Sequence, residues 1–300
     1  MATSPFTARE LFDQHIQRPV AGRSEQVPQY TAMPNSGDSG GDFVFFPKQQ
    51  PLAPLQEKWA LVVGVSRFDD QRIPPLNYSV GDARDFALAL TDKGIGRFRE
   101  DHLFVLTDEM ATLRGIRTAL NGLLRRAGRN DLVVLCFVSH VSPRYMDVRG
   151  EQYFITYDTR IERDALPATA LPLTEIYDFV RDRVPAQRAL LLMDGCSSVP
   201  NYDYERPHDS GRVTAIIEGC DGNSGDGDYE SVDLHHGYFM YYVLDALRSS
   251  HGRISPTELF NSVRDKVSSR VMQDMRKHQT PFLLIGGNDS GVMIGQAEHN

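Results

Sequence analysis

Two residues of this 300-residue chain have types and settings suited to covalent chemistry. Cys196 follows the apolar run Ala189 to Met193 after only Asp194 and Gly195, and His140 follows a second run, Leu132 to Val138, after Ser139. Short apolar runs rich in branched residues read as strands buried on both faces. In an open parallel sheet, ligands meet the protein at the carboxyl ends of the strands. If these two strands are neighbours, their ends lie about 5 Å apart, and a thiol and an imidazole face one another. A base beside a thiol raises its thiolate fraction, and the same imidazole can then protonate a departing amine. Backbone N–H groups at strand ends can hold the oxyanion of a tetrahedral intermediate. Taken singly, Cys196 also reads as a small hydrophobe and His140 as a satisfied strand-end side chain.

The elements that must position these residues alternate regularly. Trp59-Ala-Leu-Val-Val-Gly-Val is a first strand, and a loop with Pro74 and Pro75 follows. Ser79 opens a helix whose Ala83, Phe86, Ala87 and Leu90 recur at helical spacing. His102 to Thr107 is a second strand. Thr112 can cap a helix with the stripe Leu113, Ile116, Leu120, Leu123 and Leu124, ended by Gly128. After the third strand, Met146-Asp-Val and Tyr153-Phe-Ile-Thr-Tyr flank Arg149-Gly150 as a hairpin. Thr174 can cap a helix to about Arg183, and the strand leading to Asp194 follows. Val213 to Ile217 is a fifth strand, and a helix at 237–250 closes at Gly252. Ser255-Pro-Thr-Glu258 is a capping box with proline at the first helical position, opening a helix to about Met275. A sixth strand starts at Pro281. This pattern predicts an α/β fold: a doubly wound, mostly parallel six-stranded sheet with helices on both faces.

Residues 1–55 are rich in proline, glycine and serine and bury too little to fold alone. They read as a flexible extension or pro-segment before a domain over 56–300; the apolar knot Phe43 to Phe46 could dock on that domain. With 41% hydrophobic residues the chain needs no disulfide staples. Its three cysteines form no CxxC and no metal-ligand spacing, which argues against a disulfide framework or a zinc site and for a reducing compartment. The net charge of −8 argues against nucleic-acid binding. No apolar run approaches the roughly 20 residues of a membrane span, and the N-terminus has no signal core. The expected location is cytoplasmic.

The segment Asp131 to His140, followed by Asp194-Gly195-Cys196, resembles the caspase-like cysteine peptidases (family C14, clan CD), the metacaspase-like and prokaryotic caspase homologues in particular. The histidine precedes the cysteine by 56 residues, near the family's spacing of about 50. Trp59-Ala-Leu-Val-Val-Gly-Val, Leu76-Asn-Tyr-Ser-Val-Gly-Asp-Ala, Ile217-Glu-Gly-Cys-Asp and His236-Gly-Tyr-Phe-Met-Tyr are similar to further family segments in the same order. The likeness covers roughly 57–295, with a large-subunit-like part to about 200 and a small-subunit-like part from about 213.

The resemblance implies Cys196 as nucleophile, His140 as general base and acid, and the N–H groups of Cys196 and Val141 as oxyanion hole. Ser139 and Val141 replace the glycines that flank the family histidine, and a β-branched Val141 resists unusual dihedrals. Asp82 and Asp194 match the carboxylates that receive a basic side chain, so cleavage after Arg, with Lys second, is expected. Asp82 can equally belong to an ordinary helix-start arrangement with Ser79. Arg206 and Arg212 lie in loop 197–212, which matches a segment often self-cleaved in the family and reads as well as a solvent loop that happens to hold arginines. The acidic run 221–233, with Asp221, Asp226 and Asp228, is a candidate calcium site, although its spacing is not an EF-hand, and it can instead be a solvated loop; otherwise no cofactor is expected. Expected partners are a polypeptide substrate with Arg or Lys before the scissile bond and an activating protein, with no membrane or nucleic acid. The competing reading is a catalytically impaired caspase-fold binding or scaffold module. A nucleotide-binding sheet fits poorly, because no glycine-rich phosphate loop follows the first strand.

Overall fold

The computed structural model describes residues 6–17, 20, 28–30, 44–45, 52–196, 212–220, 226–287 and 289–296. Six strands form one sheet: β1 (Lys58–Gly64), β2 (Leu103–Thr107), β3 (Leu132–Val138), β4 (Arg188–Cys196), β5 (Val213–Cys220) and β6 (Phe282–Gly286). Their spatial order is β6-β5-β4-β3-β1-β2. All neighbours are parallel except β6, which runs antiparallel to β5. The order reverses between β1 and β3, which opens a crevice at their carboxyl ends.

Period-two alternation divides the central strands between two cores. Leu61, Val63, Val133, Leu135, Phe137, Leu191 and Met193 face α2 (Leu113–Arg126) and α3 (Leu173–Asp178). Ala60, Val62, Val134, Cys136, Leu190 and Leu192 face α1 (Ser79–Thr91), α4 (Tyr238–Ser249) and α5 (Pro256–Met275). Helices therefore cover both faces, as the alternation predicts. Thr112 Oγ1 caps α2 by accepting from Gly115 N at 3.0 Å. In the capping box of α5, Ser255 Oγ accepts from Glu258 N at 3.3 Å and Glu258 Oε2 accepts from Ser255 N at 2.9 Å.

Three local expectations are corrected. The hairpin around Arg149-Gly150 does not form: 144–146 is a 3₁₀ turn, and Tyr153–Phe154 pairs instead with Leu171–Pro172. Asp147 Oδ1 accepts from Arg149 N and Glu151 N, and this side-chain turn replaces the ladder. Thr174 does not cap α3, whose first flanking residue is Pro172 with no side-chain cap. Ser79 and Asp82 do not cap α1 either; Val80 N donates to Ser66 Oγ from the preceding loop at 3.1 Å.

The chain divides into two compact units, 1–51 with 205–211, and 52–204 with 212–300. In the first, Phe6–Thr7 pairs antiparallel with Val44–Phe45, so part of the apolar knot has a strand partner near the N-terminus. Arg9 lies 5.2 Å over the Tyr30 ring, which also sits 5.5 Å from Phe12.

Candidate active site

His140 and Cys196 line one cavity of about 160 Å³ at the carboxyl edge of the sheet. The register explains the meeting. Val138 pairs with Asp194, and Ser139 N donates to Asp194 O at 3.2 Å, so β3 and β4 end side by side. A Cβ on Gly195 would lie 2.8 Å from Ser139 O and 2.9 Å from Val141 Cγ2, so this strand end is closed to any larger residue.

His140 is held from two sides. Its Nε2 donates to the Pro74 carbonyl at 2.8 Å, and its ring stacks on Phe68 with centroids 5.5 Å apart. In the neutral ring this leaves Nδ1 as the basic nitrogen. The loop that carries Phe68 and Pro74 is pinned in turn. Asp108 accepts from Ser66 N and Arg67 N, while Asp70 accepts from Arg72, whose guanidinium drives the Asp70 carboxyl far below its usual value. Phe68 and the Pro74 carbonyl carry no sequence signal of this role, because one acts as a ring face and the other through the backbone.

Val141 is an extended residue bridged to Phe154 and is not among the positive-φ residues, so it occupies the glycine position without strain. Ser142 N bonds Tyr153 O and Ile155 N bonds His140 O. The Val141–Phe154 pair is therefore the non-bonded kind, and the Val141 N–H turns away from Phe154.

The floor of the cavity is acidic. Asp194 continues the Leu190–Leu192 face of β4 towards α1 and α4, which brings it to Asp82 on the first turn of α1 and to Gly237 just before α4. The two carboxylates differ in what they hold. Asp82 Oδ1 meets His236 Nδ1, and Asp82 Oδ2 accepts from Gly237 N at 2.9 Å, so both oxygens have chain donors. Asp194 is 2% exposed, and its Oδ1 is buried without a hydrogen-bond partner. Burial, then the nearby Asp228 and Asp82, push the Asp194 carboxyl well above the carboxylate range. Burial also raises Asp82, with His236 and the Gly237 N–H acting against it, and Asp82 in turn raises His236.

Two further acids line the cavity. Asp228, an exposed residue, is held by Gln279 Nε2 at 3.1 Å, and Gly227 N donates to His278 O. Glu230 accepts from Asn77 N, Asn77 Nδ2 and Tyr78 N, at 2.7–2.9 Å, and so braces the start of α1. Asp228 therefore joins the cavity that also holds Asp82 and Asp194. Among the described residues no group of three or more ligand-type side chains could hold a metal ion. Asp226 bridges to His278, and Asp221 and Arg206 lie outside the described residues. Arg212 Nε donates to Ala186 O at 3.2 Å and its Nη1 to Arg181 O, which ties it to the helical turn Phe179–Arg183 and the loop that leads from it into β4.

One expectation from the cysteines is corrected. Cys196 and Cys220 form a disulfide with Cα atoms 4.7 Å apart, and Cys136 alone is free, buried one strand away. The pairing is tertiary and leaves no mark on sequence spacing. From Arg188 to Met193 the β4–β5 register would set Gly195 opposite Cys220; a bulge after Met193 shifts it, so that Cys196 faces Cys220.

The family model for the caspase domain of peptidase family C14 matches residues 57–285, and the chain belongs to that family. The fold is similar to that of the Geobacter sulfurreducens protein GSU0716. The likeness has 17% identity and a TM-score of 0.55, over 77% of this chain and 94% of that one. No curated protein sequence matches the chain. Among the described residues no helix is long and apolar enough to cross a membrane.

Proposed function

We propose that the protein is a cysteine endopeptidase that cleaves polypeptides after arginine, with lysine second, in the state in which Cys196 is reduced. The observation that carries this reading is the buried, unpartnered Asp194 oxygen in a cavity also lined by His140 and Cys196. A guanidinium brings five donors in a planar fork, and a buried acceptor without a donor is what such a fork satisfies. The acidic pocket favours the metacaspase-like branch of the family. Asp228 lies within reach of the same cation, while Asp82 and Glu230 hold the pocket in shape.

The chemistry follows from the tautomer. With Nε2–H committed to Pro74 O, Nδ1 of His140 takes the Cys196 proton. The thiolate attacks the carbonyl carbon, and the N–H groups of Val141 and Cys196 receive the oxyanion. Nδ1–H then protonates the leaving amine, and the thioester is hydrolysed by water that gives its proton to Nδ1. No step needs a metal, so cleavage is expected to survive chelation. Self-processing in loop 197–212 is assigned to Arg206 and not to the anchored Arg212; an intact-mass comparison of wild type with Cys196→Ala tests it.

The main test is a fluorogenic peptide panel with Arg, Lys or Asp before the scissile bond, run on reduced protein with and without calcium. Arginine cleavage that disappears in Cys196→Ala is expected. No cleavage under any of these conditions would favour the second reading, a caspase-fold binding module, which the tied Cys196 sulfur supports. An activating protein partner belongs to the first reading and predicts cleavage in cell extract that the purified chain lacks.

A further inference from the structure

We infer that Cys196 is a reversible oxidation site, with Cys220 as its resolving thiol, and that peroxides and dithiol carriers are the reagents that set its state. Oxidation at this site switches the proposed peptidase off. The inference rests on the reading of Cys196 as nucleophile, but the bond itself does not.

The two residues differ in access. Cys196 is partly exposed at the cavity, whereas Cys220 has no exposed surface. A diffusing oxidant therefore meets Cys196 first. The β4–β5 bulge turns what would be a diagonal pair into a direct one, and a Cα separation of 4.7 Å lies in the range that a disulfide spans without backbone movement. Cys136 offers no competing route: it is fully buried, and burial raises its thiol well above the ordinary value, so little thiolate forms.

The chemistry balances. The Cys196 thiolate attacks one oxygen of a peroxide, forming the sulfenic acid and releasing water or an alcohol after protonation. The Cys220 thiol attacks the sulfenic sulfur, forming the disulfide and expelling water. A reduced dithiol attacks the disulfide and leaves as its own cyclic disulfide, which restores both thiols. With its sulfur in the bond, Cys196 has no thiolate to offer a carbonyl. Cys220 also protects the site, because a sulfenic acid without a resolving thiol oxidises further to irreversible acids.

The full chain is reduced, treated with hydrogen peroxide, then treated with dithiothreitol, and read by peptide mapping and by arginine-peptide cleavage. Oxidised wild type should yield a linked peptide joining the Cys196 and Cys220 segments. Its cleavage should fall at least roughly tenfold and return with dithiothreitol. Cys220→Ser and Cys220→Ala should start at wild-type activity when reduced, carry a sulfinic or sulfonic Cys196 after peroxide, and fail to recover. Absence of the linked peptide, or recovery of the Cys220 variants equal to that of wild type, overturns the proposal. A linked peptide in a protein that never cleaves overturns the peptidase reading and leaves the reversible oxidation site standing.

Discussion

Asp82 and Asp194 are both candidates for the basic pocket by sequence, Asp194 the stronger because Asp82 also suits an ordinary helix start, and the structure separates them further. Asp194 keeps a buried oxygen with no donor, whereas both oxygens of Asp82 are taken by His236 and Gly237 N. A hydrogen bond to a charged group contributes about 1.5–3 kcal/mol. Asp194→Ala should therefore lower kcat/KM for an arginine peptide by roughly 10- to 100-fold, almost wholly through KM. Asp194→Asn has a second signature. A carboxyl whose folded pKa is raised adds stability only below its unfolded value of about 3.9, and that contribution is lost as pH rises through the folded value. The variant should thus melt above wild type at pH 7.5, and the difference should close on acidification to about pH 4; thermal melts across that range check it. Asp194 was legible because a polar residue stops an apolar strand. Asp228 was visible only as part of an acidic loop, since what brings it to the cavity is its contact with Gln279, 51 residues along the chain. His236 carried no signal at all beyond its place before Gly237.

At the scale of elements, the strands, the capped α2 and the capping box of α5 were legible, because hydrophobic period and cap chemistry are local. The hairpin at Arg149 failed because Asp147 satisfies the turn donors by itself. The disulfide was illegible because it depends on a bulge between two parallel strands, and a single skipped residue decides which cysteine neighbours which. That bond has an energetic consequence for β4 and β5. Closing a loop with a sequence separation of 24 restricts the unfolded chain by about 3 kcal/mol. In a domain of this size each kcal/mol moves the melting temperature by about 2–4 °C. Reduction should lower the Tm of wild type by roughly 6–12 °C, and the Cys220→Ser variant should show no such dependence on reductant. Scanning calorimetry with and without reductant decides it. The proposed active state is on this account the less stable one, which is common where a site must stay reactive.

For the whole molecule, the alternation of strand and helix foretold the doubly wound sheet but not its strand order, and the order is what places the cavity at the β1–β3 reversal. The same scale bears on residues 1–51. Both hydrophobic cores are built, among the described residues, from positions at and beyond Leu52. Among its described residues the unit that includes 1–51 shows two-residue strands, a four-residue α-helix and a six-residue π-helix, and elements this short do not support cooperative folding by themselves. Burial of the two cores should therefore set the unfolding transition. A chain starting at Leu52 is expected to melt within about 2 °C of the full chain and to cleave arginine peptides at the same rate once reduced. Calorimetry and the fluorogenic assay on the two chains separate the alternatives: an unchanged Tm with a severalfold faster rate assigns residues 1–51 as an inhibitory pro-segment, and a lower Tm shows that they contribute to the folded domain.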